Sequence, residues 1–223
     1  MAHSENGKFS RRQLVGTAAR FAGCGLLTIP VHLNAEEPFD SLEPSVWRNA
    51  RQNGLVMIHH PTPAHMSSRV QIVSNDEPGE TLVVSGQVFA PDSRTPVPGI
   101  IVYAYNTDSQ GYYGENKTEY PPRLFGWMKT DDSGRFELRT IRPASYPGMQ
   151  VPAHIHFTLW GNKYPLQWVD ELRFEGDRYI TPAMLAEDAQ RGEFHLIQRV
   201  TRGEDGVLRC SLKIRVQGES NFR

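Results

Sequence analysis

The sequence predicts an all-β fold, a β-sandwich with a short N-terminal helical or loop segment and one short helix. Three observations predict it. Gly (19) and Pro (16) are abundant, and a chain so rich in turn formers favours many short strands over long helices. From residue 80 onward, short runs enriched in Val, Ile, Tyr, Phe or Thr recur, each bounded by Gly, Pro, Asn or Asp. A 39% hydrophobic content with 22% charged residues supplies a core and argues against a disordered chain. The 223 residues fit one ordinary domain plus a targeting segment.

Residues 1–35 read as that segment. Ser10-Arg11-Arg12-Gln13-Leu14-Val15-Gly16 is followed by a weakly apolar run to Pro30, which resembles a twin-arginine export signal. Cleavage after Ala35 would leave a periplasmic or secreted protein, and the run, interrupted by Arg20, is too short to span a membrane. Phe21-Ala22-Gly23-Cys24 faintly resembles a lipoprotein box but has too little apolar sequence before it. With the signal removed, Cys210 remains without Cys24, so no intrachain disulfide can form. The twin-arginine route carries folded proteins, often around a cofactor, so the address itself hints at a bound group.

Residues 36–75 form an expected wrapping segment, with a helix near 42–52 and a solvated, Pro-flanked lid bearing His59, His60 and His65. Residues 76–223 form the main domain. Strands are expected at 81–89, 99–105, 135–141, 154–160, 168–174, 194–200 and 207–216. Asp132-Ser133-Gly134 reads as a hairpin turn, and Arg202-Gly203-Glu204-Asp205-Gly206 as a turn between strands. One helix is expected at 182–190, with Pro182 at a tolerated N-terminal position. Cys210 falls on an expected strand with no partner at metal spacing, which makes it a buried inert thiol.

Charge and motif content exclude several functions. Lys+Arg (24) and Asp+Glu (25) give a net charge of -1, so no basic surplus is available for nucleic acid. Phosphate-loop, dinucleotide and serine-nucleophile motifs are missing from the sequence. The positive signal is Pro152-Ala153-His154-Ile155-His156-Phe157. In a strand, residues i and i+2 share a face, so His154 and His156 project side by side and can reach one metal ion. Alone, such a pair also fits a solvated strand face.

Further elements flank the histidines in order: Gly111-Tyr112-Tyr113, Thr130-Asp131-Asp132-Ser133-Gly134-Arg135-Phe136, Thr140-Ile141-Arg142-Pro143-Ala144-Ser145-Tyr146-Pro147 and Phe174-Glu175-Gly176-Asp177. Together they span about residues 84–180 and resemble the intradiol ring-cleavage dioxygenases, nearest to the protocatechuate 3,4-dioxygenase branch. The resemblance implies one non-haem Fe(III) held by two tyrosinates and two histidines. Carried over by position, these are Tyr113, Tyr146, His154 and His156, with Tyr112 a competing ligand if the register slips. Phenolates suit a hard trivalent cation, which lowers a phenol pKa far below about 10. The implied reaction cleaves a catechol-type aromatic diol with O2, between its hydroxylated carbons, to a muconate-type dicarboxylate. In it Tyr146 leaves the metal and helps take up substrate protons, and no external reductant is needed.

Three positions depart from the family pattern. Its arginine three residues before the first histidine falls on Val151, a glutamine near Phe-Glu-Gly-Asp falls on Glu171, and an aromatic after the second tyrosine falls on Gly148. A neutral Val151 supplies no cation to the substrate. Arg142 and Arg123 are the candidate replacements. Glu171 reads as a catalytic base, as a charge that repels anionic substrates, or as a solvent-facing carboxylate. These changes keep open a second reading, a non-catalytic metal-binding or interaction module on the same scaffold, and a third, another substrate on the same metal. A homo-oligomer is also left open.

Overall fold

The computed structural model describes residues 44–221 apart from Asn53 and Glu119. The expected export signal at 1–35 and the start of the wrapping segment lie outside the described residues. Among the described residues two α-helices and ten strands follow one another: α1 (Pro44–Gln52), β1 (Arg69–Gln71), β2 (Thr81–Phe89), β3 (Ile101–Asn106), β4 (Phe125–Lys129), β5 (Arg135–Ile141), β6 (His154–Gly161), β7 (Tyr164–Phe174), α2 (Pro182–Ala189), β8 (Ile197–Gln198), β9 (Thr201–Arg202) and β10 (Leu208–Arg215). They build two five-stranded sheets, ordered β1-β5-β2-β10-β9 and β4-β3-β6-β7-β8. No helix among the described residues is long and apolar enough to cross a membrane.

Alternation explains the first sheet. In β10, Leu208, Cys210, Leu212 and Ile214 are buried while Arg209, Ser211, Lys213 and Arg215 are exposed, the period of a strand with one face on a core. Leu82, Val84, Leu138 and Leu212 of this sheet pack against Ile155, Phe157, Leu159 and Leu172 of the other. Cys210 is a free, buried thiol whose pKa burial pushes up to about 12, in keeping with an inert side chain.

The second sheet is buried on both faces. In β6 every residue from His154 to Trp160 is buried: Ile155, Phe157 and Leu159 face the sandwich core, and Trp160 faces outward with Tyr103, Tyr105 and Trp127. The segment after α1 covers that outer face with buried Leu55, Val56 and Met57. His60 fastens this cover rather than forming part of a solvated lid. Its ring is 4% exposed, stacks on Phe125 at 3.5 Å and takes a 2.6 Å hydrogen bond at Nδ1 from the Tyr103 hydroxyl. His59 and His65 are exposed, as expected.

Other corrections concern strand bounds. β1 and β4 escape the sequence reading because they hold 3 and 5 residues, too short for alternation to show. β7 starts at Tyr164 because Gly161 pairs with Tyr164 across a tight hairpin, with Asn162 at φ 49°, a conformation asparagine tolerates. The strand expected at 194–200 breaks into a 3-10 turn ending at Phe194 and the two-residue β8. There the Asp188 carboxylate accepts the Leu196 and Ile197 N–H groups at 2.6 and 3.0 Å, occupying donors a longer ladder needs. Asp132-Ser133-Gly134 makes no hairpin: it carries the chain from β4 in one sheet to β5 in the other, with Asp131 accepting the Ser133 and Arg135 N–H groups.

Candidate metal centre

Three stretches bring four donor atoms together on the outer face of the second sheet. His154 and His156 come from β6, Tyr113 from the loop after β3, and Tyr146 from the loop after β5. The Tyr113 hydroxyl lies 2.5 Å from that of Tyr146 and 2.7 Å from His156 Nε2. Tyr146 Oη is 2.8 Å from His154 Nε2, and the two Nε2 atoms are 3.0 Å apart. Tyr112 is outside this ring of donors; Lys117 Nζ stands over its aromatic face, 5.8 Å from the centroid.

Backbone contacts hold the two tyrosine loops in place. The Asp108 carbonyl accepts the Ala144 N–H at 3.1 Å, and the Thr107 hydroxyl donates to the Ala144 carbonyl at 2.8 Å. The Asp108 carboxylate accepts the N–H groups of Gln110 and Tyr112. Gly111, at φ 91°, sits so close to the other loop that an added Cβ would lie 2.2 Å from the Ser145 carbonyl oxygen. Asp177, from the Phe-Glu-Gly-Asp element, accepts the Ala153 N–H at 3.0 Å and so fixes the entry to the histidine strand.

The donor set fits a cation better than it fits hydrogen bonds alone. His154 Nδ1 is 2.7 Å from the Pro152 carbonyl, which can only accept, so the proton sits on Nδ1 and Nε2 presents a lone pair. Each phenol brings one proton. Even with His156 protonated on Nε2, at most three protons serve four contacts, and His156 Nδ1 is buried with no partner in any case. One ion among the four donors satisfies them all. Donors bound at right angles to an ion at about 2.0 Å stand about 2.8 Å apart, which matches the 2.5–3.0 Å sides of this ring. Without a cation, burial raises the Tyr113 and Tyr146 pKa values and holds that of His156 well below its usual value, helped by the His154 and Arg173 charges. For the two phenols these causes disfavour the ionised form that a central positive charge would favour, whereas for His156 burial and such a charge both favour the neutral imidazole that can donate a lone pair.

A family model described as a dioxygenase matches residues 56–218. The chain belongs to the intradiol dioxygenase family. Among curated relatives, the protocatechuate 3,4-dioxygenase beta chain of Burkholderia cepacia is 32% identical over 47% of this chain and 49% of its own length. The 6-chlorohydroxyquinol 1,2-dioxygenase of Cupriavidus pinatubonensis is 30% identical over 70% of this chain and 59% of its own length. The chain thus spans about half to three fifths of these two relatives. Solved structures share the fold: catechol 1,2-dioxygenase from Pseudomonas arvilla C-1 superposes with a TM-score of 0.54 at 23% identity, covering 70% of this chain and 59% of that one. The dioxygenase domain of a carbohydrate-binding fusion from Streptomyces sp. SirexAA-E gives 0.52 at 23% identity, covering 70% and 92%.

Where this member of the family departs from the pattern, the structure shows what stands instead. Ile155 pairs with Leu172, and Phe157 with Val169, so β7 carries one extra residue opposite His156. Such a bulge re-aims side chains. Glu171 is thereby half-buried rather than solvent-facing, and one carboxylate oxygen lies within 4.8 Å of a ring nitrogen of each histidine. Arg173, the cross-strand partner of His154, holds that carboxylate at 2.5 Å. Sequence reasoning missed Arg173, because only the bulged register puts it beside the histidines. The two arginines considered from sequence are engaged elsewhere: Arg123 makes paired bonds of 2.6 and 2.7 Å to Glu77, and Arg142 lies over the Phe174 ring. Val151 is half-buried and neutral. Beside the donors opens a cavity of about 580 Å³, and Tyr113, Tyr146 and His156 form part of its wall.

Proposed function

We propose that Tyr113, Tyr146, His154 and His156 hold one ferric ion and that the chain cleaves a catechol-type ring between its hydroxylated carbons, with O2, to a muconate-type dicarboxylate. The observation that carries this reading is the closed ring of two phenol oxygens and two imidazole nitrogens beside a cavity. The ion would supply trivalent Lewis-acid chemistry to a diol in the adjoining cavity. The protein does the positioning. The Pro152 carbonyl fixes the His154 tautomer, and the stack of His156 on Tyr105, at 4.5 Å, sets the plane of the second imidazole. Tyr146, whose Oη lies against His154 and Tyr113, would be the tyrosine that accepts a substrate proton, the role the family resemblance implies for it. Glu171 is held by Arg173, so its part is to position charge beside the imidazoles rather than to abstract a proton.

Loading the purified chain with ferric salt tests the reading. About one iron per chain, a visible tyrosinate charge-transfer band, and oxygen uptake with catechol are expected. Tyr146→Phe is expected to weaken the band and lower uptake about 100-fold or more. A colourless protein that ignores ferric salt would overturn the metal assignment. Iron and colour without oxygen uptake from any catechol would favour the non-catalytic module.

A further inference from the structure

The cavity has a character beyond that of a slot for one ring. Its volume of about 580 Å³ lies within the range of about 300–1,000 Å³ that encloses drug-sized ligands, several times what a bare dihydroxybenzene fills. Apart from donor residues, its walls include Tyr105, Tyr112, Thr118, Tyr120, Pro147 and Met149, and among the described residues no lining side chain is a lysine, arginine or carboxylate. Nearby cations are occupied: Lys117 stands over the Tyr112 ring, Arg123 pairs with Glu77, and Arg173 with Glu171. The Glu171 carboxylate beside the imidazoles is paired with Arg173, so this side of the centre offers no spare positive charge to a second carboxylate.

The rim is apolar. Three large hydrophobic side chains are conspicuously exposed among the described residues, Tyr120 (55%), Met149 (52%) and Leu185 (49%), and two of them, Tyr120 and Met149, line this cavity. Apolar groups left uncovered at a cavity mouth mark where an apolar part of a ligand rests. Between the second tyrosine and Met149, a Cβ added at Gly148 would meet nothing within 4 Å, so the space on that side is open.

We propose that this chain selects catechols carrying an uncharged aryl or alkyl substituent, seated against Tyr120 and Met149, and discriminates against carboxylated catechols. The proposal rests on the metal-centre reading for where the diol sits, and its test is one of affinity rather than turnover. Monophenols cannot present a diol for ring cleavage, so 4-hydroxybiphenyl and 4-hydroxybenzoate report on the cavity alone. Titrated by calorimetry into the iron-loaded and the iron-free full chain, 4-hydroxybiphenyl is expected to bind about tenfold or more tightly than 4-hydroxybenzoate. Met149→Arg, an exposed position where the fold tolerates change, is expected to shift that ratio about tenfold toward the benzoate. Tyr120→Ala is expected to weaken the biphenyl several-fold more than it weakens unsubstituted phenol. Equal or tighter binding of the benzoate, no binding of either probe, or an unmoved ratio in Met149→Arg would each overturn the proposal. A chain that keeps the expected order of affinities yet takes up no oxygen with any catechol would retain the specificity and lose only the ring-cleavage reading.

Discussion

At Gly111 a missing side chain lets two tyrosines meet. The residue sits at φ 91°, where an L side chain is strained, and an alanine Cβ would fall 2.2 Å from the Ser145 carbonyl and 3.0 Å from Pro147. Gly111 precedes Tyr113 by two residues and Ser145 adjoins Tyr146, so relieving the clash pulls apart the loops that carry both phenols. Gly111→Ala is expected to lower iron affinity about 10- to 100-fold, the usual cost of disturbing what orients a ligand, while the melting temperature falls by only a few degrees. Iron titration with thermal unfolding checks it; wild-type affinity in the variant would mean the loops are held elsewhere. Much of the donor set was legible in the sequence, because Tyr146, His154 and His156 sit in local motifs. The choice of Tyr113 over Tyr112 was not, since it depends on which ring the loop turns toward the histidines. Nor were Glu171 and Arg173, whose orientation depends on one extra residue in β7 that no local pattern announces.

Among the elements, the cover over the second sheet is held by a histidine that must stay neutral. One nitrogen of His60 accepts from Tyr103 and the ring also bonds the Pro122 carbonyl, which requires a donor; burial is the main cause that lowers its pKa to about 4. A pKa below the unfolded value of about 6.5 means the unfolded chain binds the proton more readily. The stabilisation is therefore complete above pH 6.5 and is lost as pH falls from 6.5 toward 4. At about 1.4 kcal/mol per pH unit, it amounts to a quantity on the order of 3 kcal/mol. His156 acts in the same direction, so the parent is compared with His60→Asn: urea midpoints between pH 7 and pH 4 are expected to fall less steeply in the variant, and equal slopes would remove His60 from the account. This cover shows the limit of reading elements from sequence. β2, β5 and β10 were legible because each alternates over 7 to 9 residues. The adjacent histidines looked like a solvated loop because nothing local reveals Phe125 stacked on one of them.

For the whole molecule, the sandwich was legible from the number and spacing of the strands, but the turn at Asp131–Gly134 was not legible as a crossing between sheets, since a tight turn reads the same whether or not its strands pair. The division of labour between the sheets follows from that crossing. Residues of β6 alternate between the shared core, through Phe157, and the candidate metal centre, through His154 and His156. The Phe136 ring lies across its cross-strand partner Gly86 and meets Phe157 of the opposite sheet at 6.0 Å; a Cβ on Gly86 would fall 2.0 Å from that ring. Gly86→Ala must therefore push Phe136 toward Phe157 and open or strain the packing between the sheets, at a cost of about 1–3 kcal/mol. Because β6 is held on the site side by Asp177 at its entry and by its pairing with β3 and β7, this strain is expected to be absorbed in the core. The variant should unfold at lower urea yet bind iron with parent affinity and show the same charge-transfer band. A loss of iron affinity in proportion to the loss of stability would show instead that the two faces of β6 move as one, and that the metal centre depends on the fit between the sheets.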